Sequence, residues 1–218
     1  TNPDVRIAAA ASLYQLGEVE GLTNLIDETK TAGGAPPATP AQELRRMARD
    51  AARARAVLKL GEIAGENARA AIESAHKDPE GEVRDAASIA LARLGAADVS
   101  APFISAISDS DEAVRASAAR SLGLIGRDGR EILAKLAATD SVSVRAEACN
   151  ALGSFTAPGD TAILAAALKD KSGRVKLAAA RALARRTDPE STAALKALLE
   201  KAPRPELALV AQAGLAER

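Results

Sequence analysis

The sequence predicts an all-α fold, namely an α-α superhelix (α-solenoid) of about six helical hairpins plus a terminal helix. A stripe of small and apolar residues recurs at helical spacing about every 31 residues, and no segment alternates between apolar and polar residues as a strand would. Ala, which favours helix, accounts for 54 of the 218 residues. One such hairpin cannot bury its own stripe, so neighbouring hairpins must stack to form a continuous core.

The dipeptide Val-Arg marks the first helix of each repeat. It occurs at 5–6, 83–84, 114–115 and 144–145, and Val175-Lys176 is a close variant. The last four of these valines are 31, 30 and 31 residues apart, and the longer first gap holds a further repeat and an insertion. In repeat three the stripe after Val83 comprises Ala86, Ala87, Ala90, Leu91 and Leu94. Offsets of 0, 3, 4, 7, 8 and 11 trace one face of an α-helix.

Short polar residues and glycines mark the ends of the predicted helices. An Asp stands four or five residues before each Val of the later repeats, where its side chain can turn the chain and cap the helix. A Gly follows the stripe, where a left-handed residue is expected to end the helix. These glycines are Gly17, Gly61, Gly95 and Gly126. A second, shorter amphipathic run follows each Gly, so each unit is predicted to be helix, turn, helix.

The segments Asp78–Gly95 and Asp109–Gly126 resemble the HEAT-like repeat, in the short bacterial form named after phycobilisome lyases. The resemblance covers nearly the whole chain and implies a single HEAT-repeat solenoid domain over residues 1–218. It also implies a ladder between stacked repeats, formed by the Arg and Asp positions of the motif. Those positions are Arg6, Arg84, Arg115, Arg145, Asp78, Asp109 and Asp140. Such repeats serve as scaffolds, adaptors, regulatory subunits and subunits of some enzymes.

A proline- and glycine-rich stretch interrupts the pattern after the first repeat. Residues 31–40 contain two Gly and three Pro, which cannot continue a helix, so a flexible or extended insertion is predicted over about 31–43. Two interpretations stay open at this point. The stretch is either a tolerated insertion or a loop that docks a partner through Pro36 and Pro37.

The helix after this stretch is unusually basic, and its candidate partner-binding residues are Arg45, Arg46, Arg49 and Arg53. With the repeat register extended to this helix, Arg49 would replace the Val and Arg53 would occupy an Ala position, where an unpaired buried Arg is costly. Either the register shifts in this helix or acidic groups approach these arginines. The interpretation we favour leaves the arginines in solvent and buries Leu44, Met47, Ala48, Ala51 and Leu58. A second basic cluster lies within 169–186.

The residues that most catalytic and metal sites need are scarce. One Cys and one His cannot form a disulfide or a His/Cys zinc site. Cys149 falls where other repeats have a small residue, and His76 lies more than two repeats away from it, so a Cys–His nucleophile is not expected. We therefore predict no catalytic, cofactor-binding or metal-binding residues.

These features together predict a non-enzymatic protein–protein interaction scaffold or adaptor. It would use the solenoid's inner face, built from the second helices, and the 31–43 loop to bind another protein. One alternative is binding of a polyanion or nucleic acid through helices 45–59 and 169–186, although zero net charge and only three aromatic residues make nucleic acid an unfavoured partner. The other is a subunit of a bilin-lyase-type enzyme, suggested by the repeat type.

The sequence also bears on the compartment. No apolar run is long enough to cross a bilayer, and no signal peptide precedes the first repeat. The lone thiol fits a cytoplasmic protein, with a processed exported protein as the alternative. The oligomeric state is not predicted.

Overall fold

The computed structural model describes residues 2–31, 37–126, 128–157, 159–201 and 204–217. Over these ranges it has thirteen α-helices and one short 3-10 helix, with no strand. This confirms the predicted all-α superhelix of about six helical hairpins and a terminal helix. The helices group into two compact units, residues 1–99 and 100–218. The single domain over residues 1–218 stays a prediction.

The first unit contains the first helices of three successive repeats. Its elements are α1 (Pro3–Gln15), α2 (Val19–Asp27), α3 (Pro40–Ile63), the 3-10 helix Gly65–Ala68, α4 (Arg69–Ala75) and α5 (Gly81–Arg93). The first helices α1, α3 and α5 pack side by side in that order. The second helix α2 lies against α1, and α4 lies against α3 and α5.

The second unit continues the same alternation of first and second helices. Its elements are α6 (Ala101–Ala106), α7 (Glu112–Ile125), α8 (Arg130–Thr139), α9 (Val142–Leu152), α10 (Asp160–Ala167), α11 (Gly173–Ala184), α12 (Pro189–Glu200) and α13 (Pro205–Ala216). The first helices α7, α9, α11 and α13 form one layer, and α8, α10 and α12 form a second layer against it. One apolar core cluster runs through this unit from Phe103 to Ala211.

Small residues allow neighbouring first helices to approach closely. A Cβ atom on Gly123 of α7 would lie 2.6 Å from both the Cα and the Cβ of Ala151 in α9. Gly61 of α3 faces Ala90 of α5 in the same way, with 2.6 Å to its Cβ. The prediction that Gly61 ends its helix is therefore wrong, because Gly61 lies inside α3 and is needed for close packing. The chain takes a positive φ later, at Gly65.

The predicted stripe is buried in some repeats and exposed in others. In repeats three and five, Val83 and Val144 are both fully buried. In repeat one the stripe is exposed instead, and Leu16 is 81% exposed, because no preceding hairpin in the described chain covers that face. Val114 of repeat four is also exposed, at 38%.

The insertion before α3 is shorter than predicted. Residues 40–43 belong to α3, which begins at Pro40 after the N-cap Thr39. The Thr39 side chain accepts a hydrogen bond from the Gln42 amide, and the Gln42 side chain accepts from the Thr39 amide, which forms a capping box. This reciprocal cap and the proline at the first helical position fix the start of α3. Residues 32–36 lie outside the described residues.

Candidate functional site

An arginine–aspartate ladder connects successive repeats in the second unit. Arg115 of α7 donates to both carboxylate oxygens of Asp140, at 3.1 and 2.8 Å. Arg145 of α9 donates in the same bidentate way to Asp170, at 2.9 and 3.0 Å. These hydrogen bonds from the guanidinium groups hold the pKa of Asp140 and of Asp170 below its ordinary value. The ladder residues thus join turns of adjacent repeats.

The first unit contains an equivalent pair that the sequence analysis assigned elsewhere. Arg53 is only 5% exposed and forms an ion pair with buried Asp78, 25 residues further on, as in the other rungs of the ladder. It also donates to the Thr29 carbonyl at 3.1 Å. Burial raises the pKa of Asp78, but the Glu80 amide and the Arg53 guanidinium outweigh that effect and leave it lowered.

The assignment of Arg53 as a solvent-facing partner-binding residue is therefore wrong. The helical face was also misjudged, because Leu44 and Met47 are 68% and 57% exposed, while Ala52, Ala56 and Leu60 are buried. The Val position of this repeat is occupied by Ala52, not Arg49, since Arg53 takes the place of the motif arginine. The register is therefore shifted, and the carboxylate of Asp78 also compensates the buried charge of Arg53.

The remaining residues predicted for the ladder have other contacts. Arg84 donates to the main-chain carbonyls of Asp78 and Pro79, both at 2.7 Å. The Asp109 side chain accepts from the amide of Asp111, which is the actual N-cap of α7. Arg6 pairs with Glu28 at the end of the first hairpin. These contacts shape the turns within repeats.

A second inter-repeat network, which the sequence analysis missed, lies at the starts of the second helices. Arg130 of α8 donates to fully buried Asp160 of α10 at 2.7 Å, and Thr161 donates to Asp188, the N-cap of α12, at 3.1 Å. The other oxygen of Asp160 has no hydrogen-bond partner among the described atoms and lies 4.0 Å from Arg186. The recurrence of Asp near the start of α10 and α12 is the signal that could have revealed it.

The exposed arginines predicted to bind a partner are limited to the first turns of α3. Arg45 and Arg49 are exposed, whereas Arg46 is held by Glu43 at 2.8 Å and also contacts Glu80 of the next repeat. Hydrogen bonding to Glu43 raises the pKa of Arg46. Pro37 is described and half-buried, while Pro36 lies outside the described residues.

The second basic cluster does not form one surface. Arg174 lies 3.6 Å from Glu147 of α9, and Arg185 donates to a main-chain carbonyl of the same helix. Lys169 and Lys176 instead line a groove between second helices. The cluster is therefore split, because Arg174 and Arg185 contact α9 while Lys169 and Lys176 line the groove.

Two potential nucleophiles, Cys149 and Ser88, are buried. Cys149 is fully buried, and burial raises the pKa of its thiol to about 12, so the thiolate is scarce at neutral pH. The structure does bring His76 to Ser88, with 3.1 Å between Nδ1 and Oγ. Ser88 is only 3% exposed, and its hydroxyl also donates to the Arg84 carbonyl, so this pair joins α4 to α5 and is closed to a substrate.

An open, largely apolar groove of the second unit lies between α10 and α12, and we call it the lysine-rimmed groove. Its volume is about 710 Å³. The floor consists of alanines, Leu168 and Leu198, and the rim carries Lys169, Lys176 and Lys201. The sequence analysis placed Lys169 and Lys176 in a basic cluster but missed Lys201, which only the packing of α12 on α10 and α11 brings to them. Such a surface can bind a complementary molecule by apolar contact and charge.

The described residues contain neither a candidate metal cluster nor a candidate membrane-spanning helix. In the ranges that the structure describes, no group of three His, Cys, Asp or Glu side chains could hold a metal ion. None of the described helices has both the length and the apolar character that a bilayer span requires.

Comparison with known proteins identifies the repeat type. A protein-family model of HEAT repeats matches residues 100–173 and 130–216, which together cover more than half of the chain. No curated protein sequence is significantly similar to the chain.

Several solved structures share the fold at low sequence identity. A designed armadillo repeat protein in complex with the peptide (KR)4 is 20% identical, with 88% of this chain and 97% of that chain covered and a TM-score of 0.50. The complex of CpcE and CpcF of phycocyanin lyase from Nostoc sp. PCC7120 is 20% identical over 98% and 89% of the two chains, with a TM-score of 0.49. Human deoxyhypusine hydroxylase is 21% identical over 98% and 79%, with a TM-score of 0.46. At these identities the similarity extends to the fold alone.

Proposed function

The chain belongs to the HEAT-repeat family, and from that premise we propose that it is a non-enzymatic scaffold or adaptor that binds another protein. The single observation that carries the proposal is the lysine-rimmed groove, an open apolar surface on the layer of second helices. Repeat proteins of this architecture present extended surfaces, and binding sites in them lie between helices.

The dimensions of the groove suit a segment of a protein. A volume of about 710 Å³ accommodates several side chains of a bound segment. The floor residues Ala162, Ala166 and Ala197 are exposed, so apolar surface is available at this site without rearrangement. The designed armadillo neighbour holds a peptide, which supports a peptide-like occupant for a helical-repeat surface.

The non-enzymatic part of the proposal rests on the burial of two potential nucleophiles. The Cys149 thiol and the Ser88 hydroxyl are both buried in the core, where they pack or form internal hydrogen bonds. The groove itself is lined by Ala, Leu and Lys side chains. We therefore propose binding without turnover at this site.

Site-specific photocrosslinking tests the function. A photoreactive phenylalanine analogue at Ala197, in the groove, is compared with the same analogue at Arg181, an exposed position of α11 outside the groove lining. In native extract we expect one or a few protein adducts from position 197 and none of them from position 181. Equal adducts from both positions, or no protein adduct from position 197, would contradict the proposal. Adducts that contain nucleic acid would favour the polyanion alternative instead.

A further inference from the structure

We propose that the segment bound in the lysine-rimmed groove is an acidic amphipathic helix of a partner protein. Its apolar side chains would cover the alanine floor, and its carboxylates would contact Lys169, Lys176 and Lys201. This inference rests on the proposed function, because it specifies the chemistry of the occupant of the same groove.

Charge complementarity selects an acidic occupant. The three lysines meet at one groove, and among the described residues none of their ammonium groups forms an ion pair. Asp170 is near enough to Lys176 for the lysine charge to help lower its pKa, but its carboxylate already accepts two hydrogen bonds from Arg145. The net charge of the whole chain is zero, so this concentration of positive charge is a local property of the groove. Carboxylates from a partner would relieve the repulsion among the lysines.

Because the side chains of the groove floor are small, the occupant must supply most of the apolar volume. Five of the lining residues are alanines, namely Ala162, Ala165, Ala166, Ala194 and Ala197. Their side chains are too short to fill the groove, so Leu-sized side chains of the occupant must make most of the apolar contact. Apolar side chains on one face and carboxylates beside them describe an amphipathic segment.

The walls favour a helical occupant over an extended one. Both α10 and α12 use their main-chain groups in their own helices, so an extended peptide would find no strand edge with which to pair. A helix satisfies its own main-chain groups and needs only side-chain contacts. The eight-residue α10 is about 12 Å long, so the contact spans two to three turns of the occupant.

The placement of the lysines also predicts where the carboxylates lie. Lys169 and Lys201 follow the C-terminal ends of α10 and α12, so the positive charge gathers at one end of the groove. The carboxylates of the occupant should therefore cluster at one end of its apolar stripe. An acidic stripe along its whole length would leave most of its charges away from the rim.

Fluorescence anisotropy with defined peptides and the full chain tests this inference. The probe is a labelled peptide of about 14 residues, roughly four turns, with Leu and Ala on one face and Glu clustered at one end. Control peptides carry Lys or Gln in place of each Glu. The groove variant Lys169→Glu/Lys176→Glu/Lys201→Glu is compared with a matched variant of exposed lysines outside the groove lining, Lys135→Glu/Lys171→Glu/Lys196→Glu.

We expect the acidic peptide to bind the wild-type chain, with an affinity that falls as salt rises. The groove variant should bind it at least about tenfold more weakly, and the matched variant should bind it within about twofold of wild type. Circular dichroism checks that both variants keep the wild-type helix content, and a Lys→Gln version of the groove variant repeats the measurement without charge reversal.

The opposite outcomes separate this inference from the proposed function. If the Gln or Lys peptide binds the groove as tightly as the acidic one, the charge inference is wrong while the scaffold function stands. If no peptide binds and position 197 yields no protein adduct, both are wrong. If a heparin oligosaccharide binds as tightly as the acidic peptide and loses affinity equally in the groove variant, the site selects negative charge alone, which overturns the amphipathic helix.

Discussion

Substitution of Leu122 by Ala tests the stacked core of the second unit. Leu122 of α7 is fully buried, and its methyl groups lie against the turn at Gly129, where an added Cβ would come within 2.9 Å of them. The neighbouring helix cannot move inward to fill the resulting cavity, because Gly123 and Ala151 already hold α7 and α9 at their closest approach. We therefore expect the loss of stability to lie in the upper part of the range for buried Leu→Ala changes, about 3–5 kcal/mol.

Leu124→Ala provides the control, because this residue lies in the same helix and is 44% exposed. It should cost less than about 1 kcal/mol. Urea unfolding followed by far-UV circular dichroism measures both variants, and equal denaturant slopes would show that the midpoints can be compared. A loss below about 1 kcal/mol for Leu122→Ala, or a loss equal to that of Leu124→Ala, would refute the close stacking of α7 and α9.

Three further predictions concern the ion pairs and the start of α3. Arg53→Ala should lower the free energy of unfolding in urea by about 3–5 kcal/mol, because it leaves a buried carboxylate uncompensated. The control Arg55→Ala, which breaks an exposed pair, should lower it by less than about 1 kcal/mol. Similar losses for the two variants would contradict the buried pairing. Because the pKa values of Asp140 and Asp170 are lowered, the stability they contribute is present above about pH 4 and is lost as the pH falls further. Below about pH 4, the free energy of unfolding of the double variant Asp140→Asn/Asp170→Asn should therefore fall less steeply with pH than that of the wild type. An equally steep fall would show that these pairs are not coupled to folding. Thr39→Ala should cost about 1 kcal/mol through loss of the capping box, and no change in the urea midpoint would count against that cap.

The repeat pattern predicted the architecture because it is a local signal. Helical spacing, alanine content and the recurring Asp and Gly can each be read within one repeat, and their agreement across repeats left one architecture. The pattern could not say which stripes are covered, since burial depends on the neighbouring helix. Val5 and Val83 occupy the same offset, yet Val83 is fully buried and Val5 is 57% exposed.

The functional surface was less predictable than the fold. The register of α3 was misassigned because its long helix contains several apolar residues on more than one face, and local sequence could not show that Asp78 would approach Arg53. Lys201 lies 25 residues after Lys176 and outside any run of basic residues, so only the packing of α12 against α11 shows that they share a groove.

The amino-acid sequence by itself determined that this chain is a stack of two-helix repeats, because helix periodicity and helix ends are encoded within short segments. Only the tertiary structure decided which arginines are buried rungs, which glycines permit close packing, and which lysines converge on one groove. Those properties depend on distances between residues about 25 to 30 positions apart, and such distances are set by the stacking of one repeat on the next.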